Sequence, residues 1–129
     1  MDIVADTNIF FAVVLNEPER ERIIRLTESA AIMAPEILPY EVGNALSAMT
    51  KRHKLTGDEA LKAEAAINAI PVRLVSVDVQ ASLRMAMEHN IYAYDAYFLQ
   101  CARVCSHPLL TLDRRMIQVA EQLGIKILE

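Results

Sequence analysis

Glycine, cysteine and histidine are scarce in this 129-residue chain, at three, two and three residues respectively. With only Gly43, Gly57 and Gly124, no Gly-rich phosphate loop exists, so a nucleotide-binding Rossmann arrangement is not expected. His53, His89 and His107 have no mutual spacing that suggests a metal triad or a catalytic dyad, and they read as surface or helix-end residues. Cys101 and Cys105 lie four apart in a helix-like segment. They would close too small a loop to staple much, and no second Cys/His cluster supports zinc. Two small buried apolar side chains in a reduced protein is the expected reading. No apolar run approaches the roughly 18 residues of a membrane span. Met1 to Asp6 has no basic region and carries acids, unlike a secretory signal. The expectation is a soluble, cytoplasmic protein with no membrane partner.

Positive charge is also in short supply. Thirteen Lys plus Arg stand against seventeen Asp plus Glu, a formal charge of −4. That balance argues against a protein that grips nucleic acid through bulk positive charge. It does not exclude a nucleic-acid enzyme whose site carries metal ions. What is present is apolar: 53% hydrophobic and 23% charged residues exclude disorder as the default state. The length suits one domain, residues 1–129, able to bury about 68–70% of its unfolded surface.

Short apolar runs alternate with longer segments of helical period, without repeats, low-complexity tracts or linkers. Strands are expected at Ile3–Ala5, Ala30–Ala34, Val72–Val75, Leu109–Leu112 and Ile125–Leu128. Helices are expected at Ile9–Leu15, from Pro18 to about Ser29, from Pro35 and Pro39 to about His53, and from Thr56 to about Ala69. Three more should run from Asp78 to near Asn90, from Tyr94 to Cys105, and from Asp113 to a C-cap at Gly124. Strands separated by helices indicate an α/β domain with a mainly parallel, five-stranded sheet. In such sheets ligands bind beyond the carboxyl ends of the strands.

That rule directs attention to Asp6 and Asp113, which directly follow the first and fourth strands. Each can also cap the next helix, but the shared position would project both into one crevice. Asn8 and Thr111, two residues after Asp6 and two before Asp113, can orient the acids. Glu41 sits in an apolar helical stretch with Asn44 on the same face. Asp95 opens an apolar helix, where an N-cap role explains it but unpaired burial would be costly. Four converging carboxylates would raise one another's pKa unless cations stood between them. An all-oxygen set suits Mg²⁺ or Mn²⁺ rather than zinc, and such ions serve phosphodiester hydrolysis.

Asp6-Thr7-Asn8 after the opening strand, Glu41 with Asn44-Ala45-Leu46, Asp95-Ala96, and Thr111-x-Asp113 together resemble the PIN-domain ribonucleases. The length, the motif order and the closing Gly124-to-Leu128 segment are similar to the VapC-type toxins of toxin–antitoxin pairs. The resemblance covers essentially the whole chain. It implies a metal-dependent endoribonuclease on a parallel sheet flanked by helices. Asp6, Glu41, Asp95 and Asp113 would hold one or two Mg²⁺ or Mn²⁺ ions, supported by Asn8, Asn44 and Thr111. It also implies an RNA substrate, a homodimer and a VapB-type antitoxin. Met116 leaves no fifth carboxylate at that position.

Other features divide more evenly. Lys51, Arg52 and Lys54 read as a dipole-compensating helix end, whereas Arg114 and Arg115 beside Asp113 are candidates for RNA phosphate contact. The Ile9-to-Val14 segment is either core or part of a dimer or antitoxin surface. One rival class is a phospho-accepting receiver domain, but Asp6-Thr7-Asn8 is not an acidic pair and Val75-Ser76-Val77 lacks the phosphorylatable Asp. The other rival is a non-catalytic PIN-like binding module, against which the four intact acids speak.

Overall fold

The computed structural model describes residues 1–129. Four strands and seven helices alternate along the chain: β1 (Asp2–Ala5), α1 (Thr7–Val14), α2 (Arg20–Thr27), β2 (Ala31–Pro35), α3 (Leu38–Lys51), α4 (Gly57–Asn68), β3 (Arg73–Val75), α5 (Val79–His89), α6 (Ala93–Cys105), β4 (Leu109–Leu110) and α7 (Arg114–Gln122). All strand pairings are parallel, in the order β3-β2-β1-β4. No helix is long and apolar enough to cross a membrane.

Several local signals act as the sequence suggests. Thr56 and Glu59 form a reciprocal capping box at the start of α4. Asp78 caps α5 by accepting from Ala81 N. Gly124, just past α7, takes φ +72, the left-handed conformation that closes a helix at low steric cost. Along α3, Leu38, Val42 and Leu46 are buried at i, i+4, i+8, the spacing of one helix face. Asp95 departs from expectation: Tyr92 is the N-cap of α6, and Asp95 lies inside its first turn.

The sheet has four strands rather than five. Ile125–Leu128 approaches β4 only through an isolated parallel bridge between Leu109 and Ile127. Leu109 N donates to Lys126 O and Leu128 N to Leu109 O, each at 2.9 Å. A longer ladder has no template, because β4 is itself two residues long. Thr111 lies just beyond this short strand, where its hydroxyl donates to the Asp6 carboxylate and accepts from the Asp113 backbone N–H.

Ile3, Val4 and Ala5 of β1 are fully buried, as befits a central parallel strand covered on both faces. They belong to one cluster of 28 buried apolar residues that includes Phe10, Phe98, Leu99, Leu109 and Met116. Ile9, Phe10 and Phe11 are thereby assigned to the core, while Val13 and Val14 are only partly buried against it. Cys101 is buried and Cys105 half-buried, both free. The chain winds from β1 outward through β2 to β3, then returns to the other side of β1 as β4. The strand order therefore reverses between β1 and β4, and the carboxyl ends of these two strands flank the crevice in which open α/β sheets bind ligands.

Candidate functional site

The parallel pairing of Val4 with Leu109 and Ala5 with Leu110 brings the residues just beyond both strands together. Asp6 N donates to Leu110 O at 2.9 Å, so the Asp6 side chain emerges beside Thr111. Asp6 is 5% exposed and is held from several sides. Its Oδ1 accepts from Thr7 N at 2.8 Å, capping α1; its Oδ2 accepts from Thr111 Oγ1 at 2.8 Å and from Asn8 Nδ2 at 3.1 Å. Asn8 Oδ1 in turn accepts from Leu112 N at 3.3 Å. Thr111 Oγ1 accepts from Asp113 N at 3.1 Å. Asn8 and Thr111 thus tie the end of β1 to the end of β4.

Asp113 is the N-cap of α7: Oδ1 accepts from Arg115 N at 2.8 Å and from Met116 N at 3.2 Å. Capping and presentation of the carboxylate at the crevice are therefore one geometry. The buried Met116 side chain approaches Thr111 through sulfur, at 3.9 Å. Glu41, in the first turn of α3, and Asp95, in the first turn of α6, complete the set.

Like charge reaches between these acids in pairs: Asp6 feels Glu41 and Asp95, and Asp95 feels Asp113 and Glu41. Burial pushes the Asp6 carboxyl up to about 7, against the hydrogen bonds from Thr111 and Thr7, and the charges of Glu41 and Asp95 push it further. Burial also raises Asp95, to about 6, with added repulsion from Asp113 and Glu41. Glu41 is raised by burial. Helix N-termini favour carboxylates, so these upward shifts mean that desolvation and crowding of like charge win.

Thr7 was missed by sequence reasoning. Its hydroxyl faces Glu41 and offsets part of that rise. Yet Thr7 Oγ1 and Glu41 Oε2 are both buried without a partner in hydrogen-bonding geometry, so the contact between them is loose. Two unsatisfied oxygens facing a cluster of raised carboxylates are the polar lining that a hydrated cation would complete. No three Asp, Glu, His or Cys side chains converge into a ready-made metal cage. Mg²⁺ does not require one: it keeps several waters and takes one or two carboxylates, with substrate phosphate supplying further oxygens. The donor set fits such an ion.

Asn44, Glu41 and Asp95 line one cavity of about 260 Å³ together with Tyr40, Tyr92 and Tyr94. These tyrosines were also missed, although Tyr40-Glu41 and Tyr94-Asp95 each place an aromatic directly before an acid. Arg114 and Arg115 are exposed beside Asp113. Arg115 Nη2 donates to His89 O at 2.7 Å, bracing α7 against the end of α5. The histidines lie elsewhere in role: His107 is 3.6 Å from Asp2, His89 lies 3.2 Å from Gln122, and His53 is a left-handed residue after α3.

Comparison with known proteins agrees with this architecture. Ribonuclease VapC3 of Pyrobaculum aerophilum is 25% identical over 123 residues, covering 92% of this chain and 94% of that protein. Among solved structures, PAE2754 from Pyrobaculum aerophilum superposes with a TM-score of 0.71 at 21% identity, covering 92% of this chain and 79% of the other. VapBC2 from Rickettsia felis, bound to a DNA fragment from its promoter, gives 0.67 at 18% identity, covering 100% and 98%. FitAcB from Neisseria gonorrhoeae gives 0.66 at 18%, covering 98% and 96%. The PIN domain family model matches residues 3–122. With Asp6 and Asp113 just beyond the neighbouring ends of β1 and β4 in a parallel sheet, and this match across nearly its whole length, the chain belongs to the PIN domain family.

Proposed function

We propose that the protein is a Mg²⁺- or Mn²⁺-dependent endoribonuclease, the toxin member of a VapBC-type toxin–antitoxin pair. The observation that carries the reading is the placement of Asp6 and Asp113 just beyond the paired ends of β1 and β4, with Glu41 and Asp95 lining one cavity and like charge helping to raise Asp6 and Asp95. Cations resolve such repulsion, and removing these four acids from the count would leave the rest of the chain formally neutral. The name of the relative that matches over nearly its full length supports the same activity.

A bound divalent ion would polarise the scissile phosphodiester and lower the pKa of the attacking water. Asp6, Glu41, Asp95 and Asp113 would hold one or two such ions. Thr111 and Asn8 fix the Asp6 carboxylate through Oδ2, and Asn44 can donate or accept in the cavity it lines with Glu41 and Asp95. Arg114 and Arg115, exposed beside Asp113, are candidates to pair with RNA phosphate. A VapB-type antitoxin partner belongs to the proposal, supported by the VapBC name of a structural neighbour, and a homodimer and a cytoplasmic location are its further parts.

The test is cleavage of total RNA with Mg²⁺, with Mn²⁺ and with EDTA, by the wild-type chain and by Asp95→Asn. Cleavage that requires metal and disappears in Asp95→Asn is the expected result. Cleavage undiminished in EDTA would overturn the assignment.

A further inference from the structure

All four tyrosines of the chain gather at one place. Tyr40, Tyr92 and Tyr94 share a cavity with Glu41 and Asp95, and Tyr97 lines the adjoining groove with Tyr40. Tyr40, Tyr92 and Tyr94 are 76%, 82% and 55% exposed, unusual for large rings in a chain with only 5% aromatic residues. Local structure explains how they are held. Tyr40 precedes Glu41 near the start of α3, and Tyr92 is the N-cap of α6. The Tyr94 and Tyr97 rings form a T-shaped pair, with centroids 6.2 Å apart and planes at 80°, so at most one face of Tyr94 is engaged in that contact.

We infer that Tyr40, Tyr92 and Tyr94 form a base-stacking platform that seats unpaired nucleotides beside the carboxylates. This rests on the endoribonuclease reading and deepens it by naming what the rim of the site recognises. A chain with net charge −4 cannot draw its affinity for RNA from a broad basic surface. Flat rings supply affinity without charge, because every base has a face to stack. The rings line the same cavity as Glu41 and Asp95, so a nucleotide stacked there has its backbone within reach of the acids. Bases in an A-form duplex already stack on one another and are not free to do this. The platform therefore selects unpaired RNA.

The test uses a further feature of the sequence: tryptophan is absent, so intrinsic fluorescence reports these four tyrosines. A short unstructured oligoribonucleotide is titrated, with Mg²⁺, into the Asp6→Asn protein, and the same strand annealed to its complement serves as comparison. The single strand should quench tyrosine emission and the duplex should not. Ala at position 40, 92 or 94 should weaken binding by about 5- to 150-fold, the range for loss of one base–aromatic stack. Phe at the same positions should keep affinity within about twofold, since it keeps the ring face. In otherwise wild-type protein the Ala variants should lower kcat/KM for an unstructured RNA by a similar factor. Unchanged affinity and unchanged kcat/KM in all three Ala variants would overturn the platform while leaving the nuclease reading intact. Ala variants that alter the mass measured by light scattering, with RNA affinity unchanged, would also overturn it, by showing a protein contact. Stacking that quenches and depends on the rings, in a protein that cleaves no RNA with any divalent metal, would uphold the platform and overturn the nuclease.

Discussion

Thr111 Oγ1 donates to Asp6 Oδ2 at 2.8 Å, joining two residues 105 positions apart. The bond exists because β1 and β4 pair in parallel and both end at the crevice. Thr111 also accepts from Asp113 N, so one hydroxyl links two of the four acids. Thr111→Val should remove both bonds and leave Asp6 Oδ2 with Asn8 as its remaining side-chain donor. The expected cost is about 1–3 kcal/mol of stability, with the pH profile of cleavage displaced upward because Asp6 would ionise less readily. Thermal melts and a rate–pH series check the two effects separately; an undisplaced profile would mean the hydroxyl does not tune Asp6.

Asp6 and Asp95 should respond differently to neutralisation. The Asp6 carboxylate accepts from Thr7 N, Asn8 and Thr111, and Asn at this position would turn its amide toward at least one donor. Asp6→Asn should therefore lose both cleavage and some stability. Asp95 is raised by burial and by the charges of Asp113 and Glu41. Asp95→Asn should abolish metal-dependent cleavage while raising the melting temperature in EDTA at pH 8. A lowered melting temperature there would contradict the repulsion argument.

The metal-free protein should lose stability as pH rises. Asp6 is raised from its ordinary 3.8 to about 7 and Asp95 to about 6. A carboxyl with a raised folded-state pKa contributes its full advantage below about pH 4, and that advantage is lost as pH climbs through the folded value. In EDTA, denaturant midpoints should fall between about pH 4 and pH 7 on account of these groups. Added Mg²⁺ should reverse the fall, with larger stabilisation at pH 8 than at pH 5, because the ion competes with protons for the same oxygens. Equal stabilisation at both values would argue against binding at the raised acids.

Thr7→Val offers a cleaner separation of site from scaffold. The hydroxyl it removes has no hydrogen-bond partner in good geometry, so stability should change by less than about 1 kcal/mol. Glu41 would lose the group that offsets its rise, and the Mg²⁺ concentration for half-maximal cleavage should increase. Isothermal titration with Mg²⁺ measures that directly, and an unaltered titration would show that Thr7 is only core.

The two arginines beside Asp113 should also part company. Arg114→Ala should weaken RNA binding across sequences and reduce the salt slope by about 1. Arg115→Ala should do the same and in addition lower stability, because its Nη2 holds His89 O at 2.7 Å. A salt series on both variants, read beside their melting temperatures, distinguishes a phosphate contact from a brace.

The alternation of strands and helices, the caps at Thr56, Asp78 and Gly124, and the two acids that follow strands can all be read from the amino-acid sequence. These are legible because capping, helical period and strand-end position are local properties of a few adjacent residues. The tertiary structure decided what local pattern cannot encode. It reduced the sheet to four strands, since whether Ile125–Leu128 pairs depends on the length of β4 rather than on its own composition. It placed Asp95 inside the first turn of α6 instead of at the cap. It joined Asn8 to Leu112 and Thr111 to Asp6 across more than 100 residues, which follows from strand order alone. It also brought Tyr40, Tyr92 and Tyr94 together as exposed rings beside Glu41 and Asp95, with the half-buried Tyr97 in the adjoining groove, because α3 and α6 present their first turns to the same cavity.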